Sequence, residues 1–285
     1  MTEVTDQIIS RIDKVSLQTT IYKPHAYKAA IFIAPATGIK RQFYNSFASF
    51  LAENDYGVIT FDNEGIGGSL NGQLKHSKAS IDSWGAKDMS AVYQQLKHTF
   101  PNTTYHLVGH SAGGQIVGLM EGALELSSIF NFACSSGSIR TMNYPFKVQA
   151  HLFMNGFIPI SNLLLGYTNS PIMGMGQPLP RKVAQQWREW CNSTGYIQDF
   201  LNTTKPVNSF QELNCPSMWL HATDDDIATL TNVKDMIRVF PQLHAEIKSL
   251  DPSQYAFKDI GHMKFFSKKR KDLWPLAIDW FRQFN

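Results

Sequence analysis

Apolar residues in this chain fall into short continuous runs, separated by stretches in which they recur every three or four positions. Ala29 to Ala34 is an unbroken apolar run that stops at Pro35, and Tyr56 to Phe61, Ile129 to Cys134 and Ser217 to Leu220 are comparable. Runs this short, with little polar alternation, read as strands buried on both faces. Tyr105 to Val108 and Ala245 to Leu250 read as two more. Between them, Phe43, Phe47, Phe50 and Leu51 share one side of a helix, and Ala86, Met89, Val92, Tyr93 and Leu96 share one side of another over Trp84 to Leu96. Strands alternating with helices predict an α/β fold, a mostly parallel central sheet of about eight strands covered by helices on both faces.

The rhythm breaks between residues 139 and 206. This segment is rich in Phe, Met, Gly and Pro, and within it Gln185 to Trp190 reads as helix. It is too long for an ordinary connection. We read it as an inserted, helical cap (139–206) on a core made of 1–138 and 207–285. The alternative is that these helices simply belong to the core.

Composition narrows the classes. With 285 residues, 43% of them hydrophobic and 17% charged, the chain has the material for one large core and a soluble fold. A net charge of +3 gives no ground for nucleic-acid binding. The basic run Lys268-Lys269-Arg270-Lys271 leads into an amphipathic segment, Leu273 to Phe284, and reads as the solvated entry to a last helix. Met1 to Asp13 carries four charges and no apolar stretch like a signal peptide's, and no segment is long enough to insert stably in a membrane. Cys134, Cys191 and Cys215 are scattered and odd in number, which suits buried thiols in a reducing, cytoplasmic compartment. The nine histidines show no metal-ligand spacing, so neither a metal nor a cofactor is expected.

The candidate chemistry lies in Gly109-His110-Ser111-Ala112-Gly113. A strand-like run precedes this Gly-x-Ser-x-Gly, and a helix-like run (Ala112, Ile116, Val117, Leu119, Met120) follows. A serine on so sharp a turn has an exposed hydroxyl, and free N–H groups at the start of the helix face any oxyanion that develops there. A serine nucleophile needs a base and a group that orients the base. The strand Ser217 to Leu220 ends at Asp224-Asp225-Asp226, and Gly261-His262 sits in a loop ahead of the last helix. Serine, aspartate and histidine occur in that order along the chain, the order used on this kind of sheet. Three adjacent carboxylates cannot share one role, so most of them must face water or cap a helix.

These residues resemble the α/β-hydrolase family over most of the chain outside the cap. In the family's acid loop the catalytic Asp commonly precedes Pro. The resemblance therefore implies Asp225 as the acid, with Asp226 in place of that Pro and Asp224 as the alternative. It implies Ser111 as nucleophile and His262 as base. Phe61 to Ser69 resembles the family's Asp-x-Arg-Gly-x-Gly-x-Ser loop, with Glu64 where Arg is usual. The oxyanion loop departs from the common His-Gly-x: Ala34-Pro35-Ala36-Thr37-Gly38 implies the backbone N–H of Ala36, or one residue on that of Thr37, together with that of Ala112. The pattern Ala36-Thr37-Gly38 followed by Phe43-Tyr44 is also similar to a poorly characterised bacterial subgroup of the family.

The expected activity is hydrolysis of a carboxylic ester, small to medium and apolar in its acyl or alcohol part, through an acyl-enzyme. A thioester is the alternative. A peptidase is disfavoured because the cap has no acidic cluster to anchor a substrate's amino terminus. A non-catalytic binding module on the same scaffold is the reading from a different class.

Overall fold

A computed structural model of the chain describes residues 2–285; Met1, the first residue of the segment read for a sorting signal, lies outside them. Eight strands form one sheet: β1 (Glu3–Ser10), β2 (Ser16–Lys23), β3 (Ala29–Ala34), β4 (Tyr56–Phe61), β5 (Thr104–His110), β6 (Ser128–Phe132), β9 (Pro216–Ala222) and β10 (His244–Leu250). Their spatial order is β1-β2-β4-β3-β5-β6-β9-β10. From β4 to β10 every neighbouring pair is parallel, while β1 and β2 form an antiparallel hairpin on the β4 edge.

The buried runs became the central strands. Every residue of β3, β4 and β6 is buried, as expected of strands covered on both faces. At the far edge β10 exposes most of its length and carries Glu246 and Lys248, charges that discourage pairing with another chain. The β1–β2 hairpin had no such signature. β1 is exposed at nearly every position, so nothing in its sequence alternates against a core.

Helix α1 (Asn45–Glu53) buries Phe47, Ala48, Leu51 and Ala52. The predicted helix over 84–96 is longer. It starts at α2 (Ile81–Ser83), widens into a π-helical turn over Trp84–Met89 and continues as α3 (Ser90–Thr99). Ser80 caps its start by accepting from the Ser83 N–H. The helix expected after the serine motif is much shorter: α4 is only Ala112–Gln115, followed by a separate 3-10 turn at Val117–Leu119. Glycines explain the break. A Cβ on Gly118 would strike the Phe210 ring at 2.6 Å, so this segment hugs its neighbours and does not run on as a regular helix.

Between β6 and β9 lie α5 (Phe146–Leu152), a second π-helical turn (Phe153–Phe157), α6 (Ile158–Leu165), the two-stranded β7 (Tyr167–Thr168) and β8 (Leu179–Pro180), α7 (Arg181–Asn192) and α8 (Gln198–Thr204). The predicted helix at Gln185–Trp190 lies inside α7. This layer is tied to the core by Gln186, whose carbonyl accepts the Ile81 N–H at 2.7 Å and whose amide donates to Asp82 at 2.7 Å. After β9, α9 (Leu230–Ile237) precedes β10, and α10 (Pro275–Phe281) forms the last helix. All three cysteines are free and buried. Among the described residues, no helix is long and apolar enough to cross a membrane.

Candidate active site

Ser111 connects β5 to α4 with φ 49° and ψ −115°, a conformation that costs a non-glycine residue roughly 1–3 kcal/mol. Its N–H is held by the Phe132 carbonyl at 3.0 Å. Two glycines make the turn possible. A Cβ on Gly113 would overlap the backbone carbonyl of Ala34, and one on Gly109 would lie 2.6 Å from the Gly114 Cα. The turn therefore requires close backbone approach on both sides of the serine.

Asp225 follows β9 and is buried, and its two oxygens divide their work. Oδ1 accepts the N–H groups of Ile227 and Ala228 at 2.8 and 2.9 Å, and Oδ2 accepts from His262 Nδ1 at 2.8 Å. Burial pushes the carboxyl up, but the facing His262 ring and these N–H donors outweigh it and hold the group below the ordinary carboxylate range. His262 Nε2 lies 3.0 Å from Ser111 Oγ. Since the ionised Asp225 can only accept, Nδ1 of His262 carries a proton and Nε2 is the basic nitrogen facing the serine.

The three aspartates separate as their crowding required. Asp224 accepts the N–H groups of Ile260 and Gly261 at 2.9 and 3.0 Å, fastening the loop that carries the histidine. Asp226 is exposed.

The two alternatives in the oxyanion loop differ in their hydrogen bonding. The Ala36 N–H is already used: it donates to the Tyr44 hydroxyl at 2.9 Å, in a fully buried contact. Ala36 lines the cavity but has no free donor to offer. The N–H groups of Thr37 and Ala112 have no hydrogen-bond partner among the described residues; Thr37 lines the cavity, and Ala112 directly follows Ser111 at the start of α4. With α4 only four residues long, the local N–H of Ala112 matters more than any helix dipole.

Sequence reasoning missed Tyr44 and His110. The Tyr44 hydroxyl lies 2.8 Å from His110 Nδ1, and His110 Nε2 lies 3.0 Å from the backbone carbonyl of His262. A carbonyl can only accept, so His110 donates from Nε2 and takes the Tyr44 proton at Nδ1. Burial lowers the His110 pKa to about 3, helped by the neighbouring His262, so the ring is neutral. One buried chain of hydrogen bonds thus joins the oxyanion loop to the histidine loop. Tyr44 stands in the sequence only within the Ala-Thr-Gly and Phe-Tyr resemblance, which assigns it no role, and a histidine before the serine carries no signal of its own.

The resembled Asp-x-x-Gly loop is built on Asp62. Its carboxylate accepts the Arg41 N–H at 2.6 Å, an Arg41 guanidinium nitrogen at 2.7 Å and the Gly68 N–H at 2.9 Å. Glu64, where Arg is usual, instead pairs with Arg11 at 2.8 Å.

Above Ser111 and His262 lies a cavity of about 370 Å³, at the lower end for small-molecule sites. Phe146, Phe153, Met154, Met173, Met175 and Trp187 form much of its wall, with Gln115, Gln149 and Gln177 as polar groups. No Asp, Glu, Lys or Arg lines it. Cys191 reaches the wall, but burial raises its thiol to about 12, which makes it a poor nucleophile. No cluster of metal-ligating side chains occurs among the described residues.

Comparisons with known proteins bear on the family and the fold. The family model described as "Serine aminopeptidase, S33" (Hydrolase_4) matches residues 25–253. A solved esterase from Pyrococcus furiosus is 14% identical, with 99% of this chain and 92% of that one covered and a TM-score of 0.61. A thermophilic esterase from Thermogutta terrifontis is 16% identical, with coverage of 98% and 99% and a TM-score of 0.61. An esterase from Exiguobacterium antarcticum is 14% identical, with coverage of 98% and 100% and a TM-score of 0.62. At such identities these structures share the fold. No curated protein sequence matches. A family model spanning most of the chain, on a sheet of this topology, shows that the chain belongs to the S33 serine hydrolases and is an α/β hydrolase.

Proposed function

We propose that the protein is a carboxylesterase acting on uncharged esters through an acyl-enzyme on Ser111. The observation that carries the proposal is the continuous contact from Ser111 Oγ to His262 Nε2 and from His262 Nδ1 to Asp225, at 3.0 and 2.8 Å. Ser111 attacks the ester carbonyl carbon as His262 takes its proton. Asp225 keeps the imidazole in the required tautomer and stabilises the imidazolium. The N–H groups of Thr37 and Ala112 receive the oxyanion, each worth roughly 3 kcal/mol in the transition state. His262 then passes the proton to the departing alcohol. A water, deprotonated by the same nitrogen, releases the acid.

The lining supports an ester more than the other substrates. An aminopeptidase must hold a substrate's ammonium group, and the cavity contains no carboxylate for it. An acyl-CoA would bring several phosphate charges, and the cavity contains no Lys or Arg. Phenylalanine and methionine walls suit an apolar acyl or alcohol group. Residues 139–206 act as a cap, supplying most of this wall.

The reading is tested with p-nitrophenyl esters of increasing chain length alongside acyl-CoA and aminoacyl anilide substrates. Turnover greatest on short or medium esters is expected. A higher kcat/KM on the anilide or on acyl-CoA would overturn the substrate class.

A further inference from the structure

The outer surface of the cap has a composition that the cavity does not require. Residues 146–165 form one continuous helical stretch, α5, a π-helical turn and α6. Its inner side buries Ala150, Phe153, Met154 and Ile158. Its outer side should then be polar. Instead Val148, Leu152, Ile160, Leu163 and Leu164 are exposed, Leu163 at 80% and Leu164 at 74% of their full area. The wider π turn keeps 148 and 152 on the same side as 160, 163 and 164. Ile172, 68% exposed, and Met173 extend the apolar area, and Met173 also lines the cavity. Part of the cap's exposed apolar surface therefore lies at the cavity above Ser111.

Within residues 126–188 the charges are all of one sign, and Glu189 and Asp199 beyond them share a surface pocket with Arg140 and Arg188. From Leu126 to Arg188 the sequence contains no Asp or Glu but five basic residues, Arg140, Lys147, Arg181, Lys182 and Arg188. None of these forms a salt bridge among the described residues. Lys147 sits 5.5 Å over the ring of Tyr144, which is itself exposed. At the end of α6, Lys75 from the core lies against Gly166, beside the leucines.

We propose that this face docks on an anionic lipid bilayer, with the leucine stripe in the headgroup region and the lysines and arginines against the lipid phosphates. Exposed apolar side chains accompanied in the same segment by cations without salt-bridge partners match an anionic membrane surface in both respects. A second copy of the chain matches it less well, because a two-fold pairing would set this cationic face against itself with no acids from 126–188 to neutralise it. Docking would bring the cavity entrance to the surface where apolar esters partition. That last step rests on the proposed esterase activity, whereas the docking itself does not.

The test is flotation of the full-length protein with vesicles of about three parts phosphatidylcholine to one part phosphatidylglycerol, and with phosphatidylcholine alone, at low and high salt. Binding to the anionic vesicles, weakened by salt, is expected. The double variant Leu163→Ser/Leu164→Ser should bind about tenfold more weakly. Lys147→Gln and Lys182→Gln should each weaken binding about fivefold. All these variants should hydrolyse a short water-soluble ester at the parent rate, which shows that they are folded. Equal binding to both vesicle types, or binding indifferent to the leucine and lysine substitutions, overturns the proposal. So does a stable dimer in sedimentation that the leucine variant dissolves while vesicle binding is absent. Vesicle binding without ester hydrolysis would support docking and count only against the esterase reading.

Discussion

The Tyr44 hydroxyl accepts the backbone N–H of Ala36 at 2.9 Å, which leaves the Thr37 N–H as the unpaired donor of that loop beside the cavity. The same hydroxyl contacts His110, whose other nitrogen holds the His262 carbonyl. Tyr44→Phe should therefore leave a buried N–H unpaired, costing about 1–3 kcal/mol of stability. It should also loosen both loops at once. We expect kcat to fall about tenfold with KM little changed, measured on a short ester, because the misplacement is felt in the transition state.

A phosphonate adduct separates the two candidate donors. In a crystal structure of the phosphonylated enzyme, the phosphoryl oxygen should lie about 2.7–3.1 Å from the N–H groups of Thr37 and Ala112. Contact with the Ala36 N–H and a broken Tyr44 bond would be the opposite result.

Asp224 and Asp225 should differ sharply in their effects. Asp225→Asn keeps the shape but presents His262 with the wrong partner, and kcat should fall by about 10⁴. Asp224→Asn retains one acceptor for the Ile260 and Gly261 N–H groups, and a loss of about tenfold is expected from the looser loop. Comparable losses would mean that the carboxylates share the role.

Acid should destabilise the fold through its buried histidines. Burial lowers His110 to about 3 and His106 to about 4. Both are neutral when folded but take a proton when unfolded below their ordinary value near 6.5. The unfolded state then binds more protons, so stability falls as pH drops below about 6.5 and the loss stops growing below the folded values. At pH 5 each histidine should cost up to about 2 kcal/mol. Urea unfolding at pH 7 and pH 5 measures this, and His106→Gln should show a smaller difference between the two.

The parallel core was legible because strands covered on both faces leave unbroken apolar runs such as Ala29–Ala34. The exposed β1 left no comparable trace. That Ser111, His262 and Asp225 come within hydrogen-bonding distance could be anticipated from their order and loop positions along the chain. The oxyanion donor could not. Whether Ala36 or Thr37 offers a free N–H depends on a tyrosine eight residues on, whose hydroxyl acts through the fold and not through local pattern. The length of α4 was misjudged for a similar reason, since the Phe210 ring that crowds Gly118 comes from far along the sequence.

Ser111 should react as a hydroxyl activated by His262, and labelling with a fluorophosphonate followed by mass spectrometry reads this out at the residue itself. One adduct per chain is expected on the peptide containing Ser111, absent in Ser111→Ala and much slower to form in His262→Ala. A folded wild-type protein that takes up no label, or takes it up at another residue, would contradict this activation.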